Sequence, residues 1–148
     1  MDVNYINPFL KALQYVMQMV FGIQPEFGKV YLKKAPFQGY TVNLKVNGEV
    51  DGVFALVMNG NTAKKIVTKM LGQEIEQMDD MAISAIGELG NMIVGNACTL
   101  YSQKGLHTNI STPEVVVGET EDFKKPAVIC VPIQLNNELG NLNVAIAM

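Results

Sequence analysis

Between Ile83 and Leu100 an apolar residue returns every three or four positions. At about 100° per residue, Ile83, Ile86, Leu89, Ile93, Val94, Ala97 and Leu100 share one arc of a helix. The same period runs through Phe9, Leu10, Leu13, Val16, Met17 and Val20. The spacing therefore predicts a long helix over about 79–103, stopped at Gly105, and an earlier one over 7–21, stopped at Gly22. Asn7-Pro8 gives the earlier helix an N-cap and a proline at its first position. Elsewhere the period falls to two: Val42, Leu44 and Val46 alternate with Thr41, Asn43 and Lys45, the pattern of a half-buried strand. Strand-like runs lie near 29–33, 40–46 and 53–58, and again near 115–117, 128–135 and 142–147. Asn47-Gly48 is a hairpin signal, and Asn136-Asn137 marks a second tight turn. Asn61 is placed to cap a short helix over 63–71 closed by Gly72, and an acidic bridge over 74–80 leads into the long helix.

The two halves echo each other. Asn47-Gly-Glu-Val-Asp-Gly before Phe54-Ala-Leu-Val-Met resembles Asn136-Asn-Glu-Leu-Gly before Val144-Ala-Ile-Ala-Met. Each half reads as a helix and then a three-strand antiparallel meander. The expectation is an α+β fold, a duplicated unit whose strands form one mostly antiparallel sheet packed with helices. Pro132 cannot donate to a ladder, so its place in an apolar strand suggests an edge or a bulge. Nothing linker-like divides the halves, and residues 1–148 read as a single domain.

Composition narrows the function. With 49% hydrophobic and 17% charged residues in 148, the chain can bury a sizeable core. A net charge of −3 and a pI near 5.1, with no Lys run longer than a pair, argue against a nucleic-acid surface. Cys98 and Cys130 lie in apolar periodic segments without ligand-type neighbours, which favours reduced thiols and a cytoplasmic protein. Asp2 and Asn4 stand where a signal peptide would be basic, and no apolar run approaches the ~18 residues of a membrane span. His107 is the sole histidine, without a partner at metal or triad spacing, and reads as a solvated loop residue. The pairs Lys33-Lys34 and Lys64-Lys65 read as solvated, and the methionines of the first helix, Met17 and Met19, as core. No phosphate loop, nucleophile elbow or zinc pattern appears.

What remains is the polar arc of the long helix, carrying Ser84, Glu88, Asn91, Gly95 and Thr99. Glu88 and Asn91 are three apart, so their side chains are neighbours. One is a carboxylate; the other is an amide that both donates and accepts. Gly87, Gly90 and Gly95 each cost roughly 1 kcal/mol against Ala in a helix interior, which suggests that something comes close to this backbone. By itself, an E-x-x-N pair is usually only a solvated face.

Ser84-x-x-x-Glu88-x-x-Asn91, followed by Pro113, resembles the signature of the CheC/CheX/FliY family of chemotaxis phosphatases, with Pro113 one residue closer than in the family's pattern. The run from Ala85 to Ala97, Tyr5-Ile-Asn-Pro-Phe, Phe37-Gln-Gly-Tyr, Lys69-Met-Leu-Gly-Gln-Glu and Pro113-Glu-Val-Val-Val-Gly are most similar to the CheX branch. The resemblance implies hydrolysis of the aspartyl phosphate of a CheY-type response regulator. It assigns Glu88 and Asn91 as catalytic, with Ser84 and Gly95 at the partner surface. Asn91 would orient the attacking water, and Glu88 would pair with a cation of the regulator, its active-site Lys. Mg2+ would be held by the regulator, so no cofactor is expected on this chain. CheC-like members carry the motif twice, but the first helix here contains no Glu, which leaves one site per chain. Members of the branch tend to be homodimers joined through sheet edges, which would suit an edge near Pro132. The alternative is a non-catalytic module of the same fold that binds a regulator or a flagellar switch. An intact Glu88–Asn91 pair speaks against it, since pure binding does not need the amide.

Overall fold

A computed structural model describes residues 3–33, 37–120, 128–135 and 138–147. In chain order its elements are α1 (Val3–Phe21), β1 (Glu26–Phe27), β2 (Tyr31–Lys33), β3 (Tyr40–Gly48), β4 (Gly52–Met58), α2 (Gly60–Leu71), α3 (Asp80–Gln103), β5 (Thr108–Ile110), β6 (Glu114–Val117), β7 (Val128–Gln134) and β8 (Asn141–Ala147). The strands form one antiparallel sheet in the order β1-β7-β8-β4-β3-β5, with β2 also on β7 and β6 also on β3. This is the α+β arrangement expected, with β4 and β8 paired at its centre from Val53↔Ala147 to Val57↔Asn143.

The meanders are not those of the sequence reading. The hairpins β3–β4 and β7–β8 form as expected, but the first strand of each half joins the other half's hairpin. Tyr31 of β2 pairs with Cys130 of β7, and Val115 of β6 pairs with Val42 of β3. Phe37, ahead of β3, and Thr120, after β6, exchange backbone hydrogen bonds of 3.0 and 2.9 Å. Phe37 packs with Ala55, Ala145 and Cys130 on the face without helices.

The helical face holds the main core. Val42 and Leu44, Phe54 and Leu56, Val131 and Ile133, and Val144 and Ile146 point one way and meet Phe9, Leu13, Val16 and Met17 of α1 and Ile86, Leu89 and Ile93 of α3. The Phe9 ring stacks on Phe54 at 4.5 Å between centroids. Tyr101, near the end of α3, donates its hydroxyl to the carbonyl of Tyr5, near the start of α1. Burial pushes the Tyr101 hydroxyl pKa upward, so it remains a donor.

Several boundaries move. α1 starts at Val3, which leaves Pro8 inside the helix instead of at its first position. A turn containing Tyr5 and Ile6, both packed against the core, outweighs the one lost backbone bond. α2 is capped by Asn59, not Asn61: Asn59 Oδ1 accepts from Thr62 N at 2.8 Å. Gly72 closes it at φ 71. Asn47 and Gly48 do not form a two-residue turn. They extend β3 to pair with Asn109 and Thr108 of β5, and the connection to β4 follows them. Gly48 has φ 111, and a Cβ there would lie 2.7 Å from the His107 carbonyl. The turn at Asn136-Asn137 lies outside the described residues.

Pro132 is not at an edge. β7 lies between β8 and the short strands β1 and β2, with Pro132 opposite Asn143. The Pro132 carbonyl accepts from Gly28 N at 2.7 Å, at the break between β1 and β2. In an antiparallel ladder a residue's N–H and C=O point to the same neighbour. The missing N–H therefore faces the interrupted outer strand, where regular pairing stops. Met17 is buried but Met19 is exposed. Cys98 and Cys130 are both free thiols, and burial raises both pKa values.

Candidate active site

α3 is anchored at its start by Asp79, whose Oδ1 accepts from Ala82 N at 2.9 Å. Its apolar arc is buried as expected at Ile86, Leu89, Ile93, Val94 and Ala97, while Ile83 and Leu100 are only half-buried. Ala82, Gly87, Gly90 and Tyr101 join the buried set. The packed side fixes the rotation of the helix about its axis. The opposite side is therefore presented as a rigid surface.

On that surface Ser84 and Glu88 are exposed, and Asn91 and Gly95 are half-buried. The four positions fall within about 60° of one another on the helical wheel, and the Cβ atoms of Glu88 and Asn91 are ~5–6 Å apart. The side chains of Glu88 and Asn91 make no hydrogen bond or ion pair among the described residues. A carboxylate and an amide held side by side and left free can engage a cation and a polar hydrogen-bonding group of a molecule approaching the helix.

The three glycines separate into distinct roles. A Cβ on Gly90 would lie 2.7 Å from Val42 Cγ1 and 3.1 Å from Leu44 Cδ2, so this residue lets α3 sit directly on β3. At Gly87 the nearest atoms, on Val115 and Pro113, are at 3.5 and 3.9 Å, ordinary contact distances. Around Gly95 nothing lies within 4 Å. The expected close approach is thus made within the fold at Gly90 alone.

Pro113, far along the chain, is brought beside α3 at Gly87, immediately before Glu88. It belongs to the link between β5 and β6, where Ser111 N donates to the Lys45 carbonyl at 3.0 Å. His107 is exposed, and its backbone N–H donates to Glu49 Oε2 at 2.5 Å. Lys33, Lys64 and Lys65 are exposed, with Lys33 Nζ 5.6 Å from the Phe37 ring centroid. Lys34 lies outside the described residues. Among the described residues no three His, Cys, Asp or Glu side chains gather as a metal-binding group, and no described helix is long and apolar enough to cross a membrane.

Comparison with known proteins places this surface in context. The family model of the chemotaxis phosphatase CheX matches residues 40–134, a span that includes all of α3. The CheY-P phosphatase CheX of Thermotoga maritima is 34% identical over 143 residues, covering 93% of this chain and 92% of the relative. Among solved structures, a chemotaxis protein CheX from Desulfovibrio desulfuricans superposes with a TM-score of 0.83 at 28% identity, over 97% of both chains. A complex of CheX with CheY, BeF3 and Mg2+ from Borrelia burgdorferi gives a TM-score of 0.82 at 29% identity, over 97% of this chain and 96% of that one.

Proposed function

The chain belongs to the chemotaxis phosphatase CheX family, and we propose on that footing that it removes the phosphoryl group from the aspartyl phosphate of a CheY-type response regulator. The observation that carries the reading is the Glu88–Asn91 pair, side by side on a rigid helix face, with side chains that have no partner among the described residues.

An acyl phosphate is already reactive, so the phosphatase has chiefly to set a water in line with phosphorus and exclude unproductive geometries. Asn91 does this with its amide, accepting from the water through oxygen or donating to it through nitrogen. Glu88 pairs with the regulator's active-site Lys and fixes the two proteins in register. Ser84, one turn before Glu88, and Gly95, one turn beyond Asn91, lie at the partner surface. Mg2+ belongs to the regulator, where it neutralises phosphate charge; the related complex from Borrelia burgdorferi contains CheY, BeF3 and Mg2+. Water attacks phosphorus directly, and no covalent intermediate forms on this chain.

The same reading takes residues 1–148 as one domain acting in the cytoplasm, and takes the working form as a homodimer. The outer edge strand supports the last point. β1 and β2 cover β7, and in this segment Phe27, Val30, Tyr31 and Leu32 are all exposed apolar residues, Leu32 at 71%. An exposed apolar edge is a template for pairing with another strand.

The test is a time course of phosphate release from candidate phosphorylated regulators, with and without the protein. At least one regulator should lose phosphate faster in its presence. A regulator that binds without faster release would favour the non-catalytic interaction module instead.

A further inference from the structure

We infer that the chain carries a ligand site on the helix-free face of its sheet, separate from the Glu88–Asn91 face, which takes a small zwitterion of the α-amino-acid type. The ligand lies between Lys45 and Glu114, against the amide of Asn43. The inference is independent of the phosphatase reading.

The register of the sheet builds the site. Asn43 of β3 stands between Ala55 of β4 and Glu114 of β6. Residues paired across an antiparallel ladder project to the same face, and Ala55 belongs to the buried cluster on the face without helices. Asn43 and Glu114 therefore project there too, and Lys45, two residues along β3, follows them. Pro113 and Val115, on either side of Glu114, point the other way, against Gly87 of α3. The link between β5 and β6 closes the end of the site, where Ser111 N donates to the Lys45 carbonyl at 3.0 Å. Asn43, Lys45, Ser111, Thr112 and Glu114 together line a cavity of about 340 Å3.

Asn43 is the residue that points to a ligand. It is exposed at only 4%, yet its Oδ1 has no hydrogen-bond partner. Buried side-chain polar atoms are nearly always paired, because an acceptor removed from water without a donor is costly. Thr41 Oγ1 and Thr120 Oγ1 are also buried without a partner, but neither residue lines this cavity. At Asn43 the missing donor is supplied by the occupant of the cavity.

The charges select that occupant. Lys45 and Glu114 are exposed, and neither side chain has a hydrogen bond or ion pair among the described residues. A cation and an anion thus border one small cavity without neutralising each other, which suits a molecule that carries both charges. An ammonium group brings three donors, enough for the Glu114 carboxylate, the Asn43 oxygen and the Thr112 hydroxyl. A carboxylate on the neighbouring carbon accepts from Lys45, whose flexible stem covers the ~7 Å between alternate residues of a strand. A half-turn of the Asn43 amide exchanges its oxygen and nitrogen, and a zwitterion answers either end. A simple anion leaves Glu114 unanswered, and a simple cation leaves Lys45.

Calorimetric titration of the whole chain with each proteinogenic amino acid, in a buffer free of amino acids, tests this. Acetate and methylammonium serve as single-charge controls. At least one amino acid should bind saturably, and both controls should bind at least about tenfold more weakly. Lys45→Gln and Glu114→Gln, both at exposed positions, should each raise that Kd about tenfold or more. Lys11→Gln, at an exposed position of α1, should leave it unchanged. Asn43→Leu, similar in volume, should abolish binding; if it fails to fold, the two exposed variants decide. The site is overturned if no amino acid binds saturably, if a control binds as tightly, or if either exposed variant keeps the parental Kd. A crystal structure grown with the bound amino acid in which waters alone fill the cavity overturns it as well. No regulator is present in these titrations, so their failure leaves the phosphatase reading standing.

Discussion

Asn91 and Glu88 are neighbours on one helix face, but their removal is expected to fail in different ways. If Asn91 only positions water, Asn91→Ala lowers kcat by orders of magnitude while the phosphorylated regulator still binds, because the loss lies in the transition state. If Glu88 pairs with the regulator's Lys, Glu88→Ala removes one side of a charge pair that docking desolvates. It should therefore weaken the complex by about 2 kcal/mol or more as well as slowing turnover. Ser84→Ala is expected to change activity less than tenfold, under ~1.4 kcal/mol, since that hydroxyl only borders the Glu88–Asn91 pair. All three should keep the parental circular dichroism, because none of these side chains lies on the buried arc. An Asn91→Ala protein that dephosphorylates at the parental rate would remove the water-positioning role.

At the scale of the element, α3 is a packed rod whose inner side determines what its outer side can do. Gly90 is the tightest point of that packing: both Val42 and Leu44 are fully buried beneath it. Gly90→Ala should overpack the contact, at a cost of about 1–3 kcal/mol, against a helix-propensity gain of roughly 1 kcal/mol. The expected net result is a lower Tm, read by thermal melting, together with lower activity from a displaced Glu88–Asn91 face. An unchanged or raised Tm would mean that β3 yields, and that the helix position is not set there. Turns and caps obey the same logic. The proline signal at Pro8 predicts a helix start, yet core contacts of Tyr5 and Ile6 extend α1 past it.

For the whole molecule, the sheet keeps two edges, and the one formed by β1 and β2 is the more apolar. Pairing of that edge with a second copy would cover Val30, Tyr31 and Leu32 and leave the α3 face free, because α3 packs on the opposite half of the sheet, over β3, β5 and β6. A homodimer with two independent sites is the expected form. Sedimentation at micromolar concentration should show about twice the 16.2 kDa of one chain. A species at the single-chain mass would exclude it, and Leu32→Lys, which charges the edge, should produce that species from a dimer.

The sequence by itself determined the three helices, six of the strands (though not the short β1 and β5), the faces of the two long helices and the adjacency of Glu88 and Asn91, because periodicity and short-range spacing are local properties of the chain. The hairpins β3–β4 and β7–β8 were legible for the same reason: their partners are adjacent in sequence. The exchange of β2 and β6 between the halves was not, since the halves echo each other and local pattern does not say which copy a strand joins. Pro132 likewise showed that a ladder bond is missing, but only the tertiary structure decided that the gap faces an interrupted outer strand instead of solvent. The glycines of α3 make the point most plainly. All three read alike in the sequence, as costs borne by a helix; only the surroundings distinguish Gly90 beneath β3 from Gly95 in open space. What a missing Cβ is for depends on atoms far away along the chain, or on a second molecule.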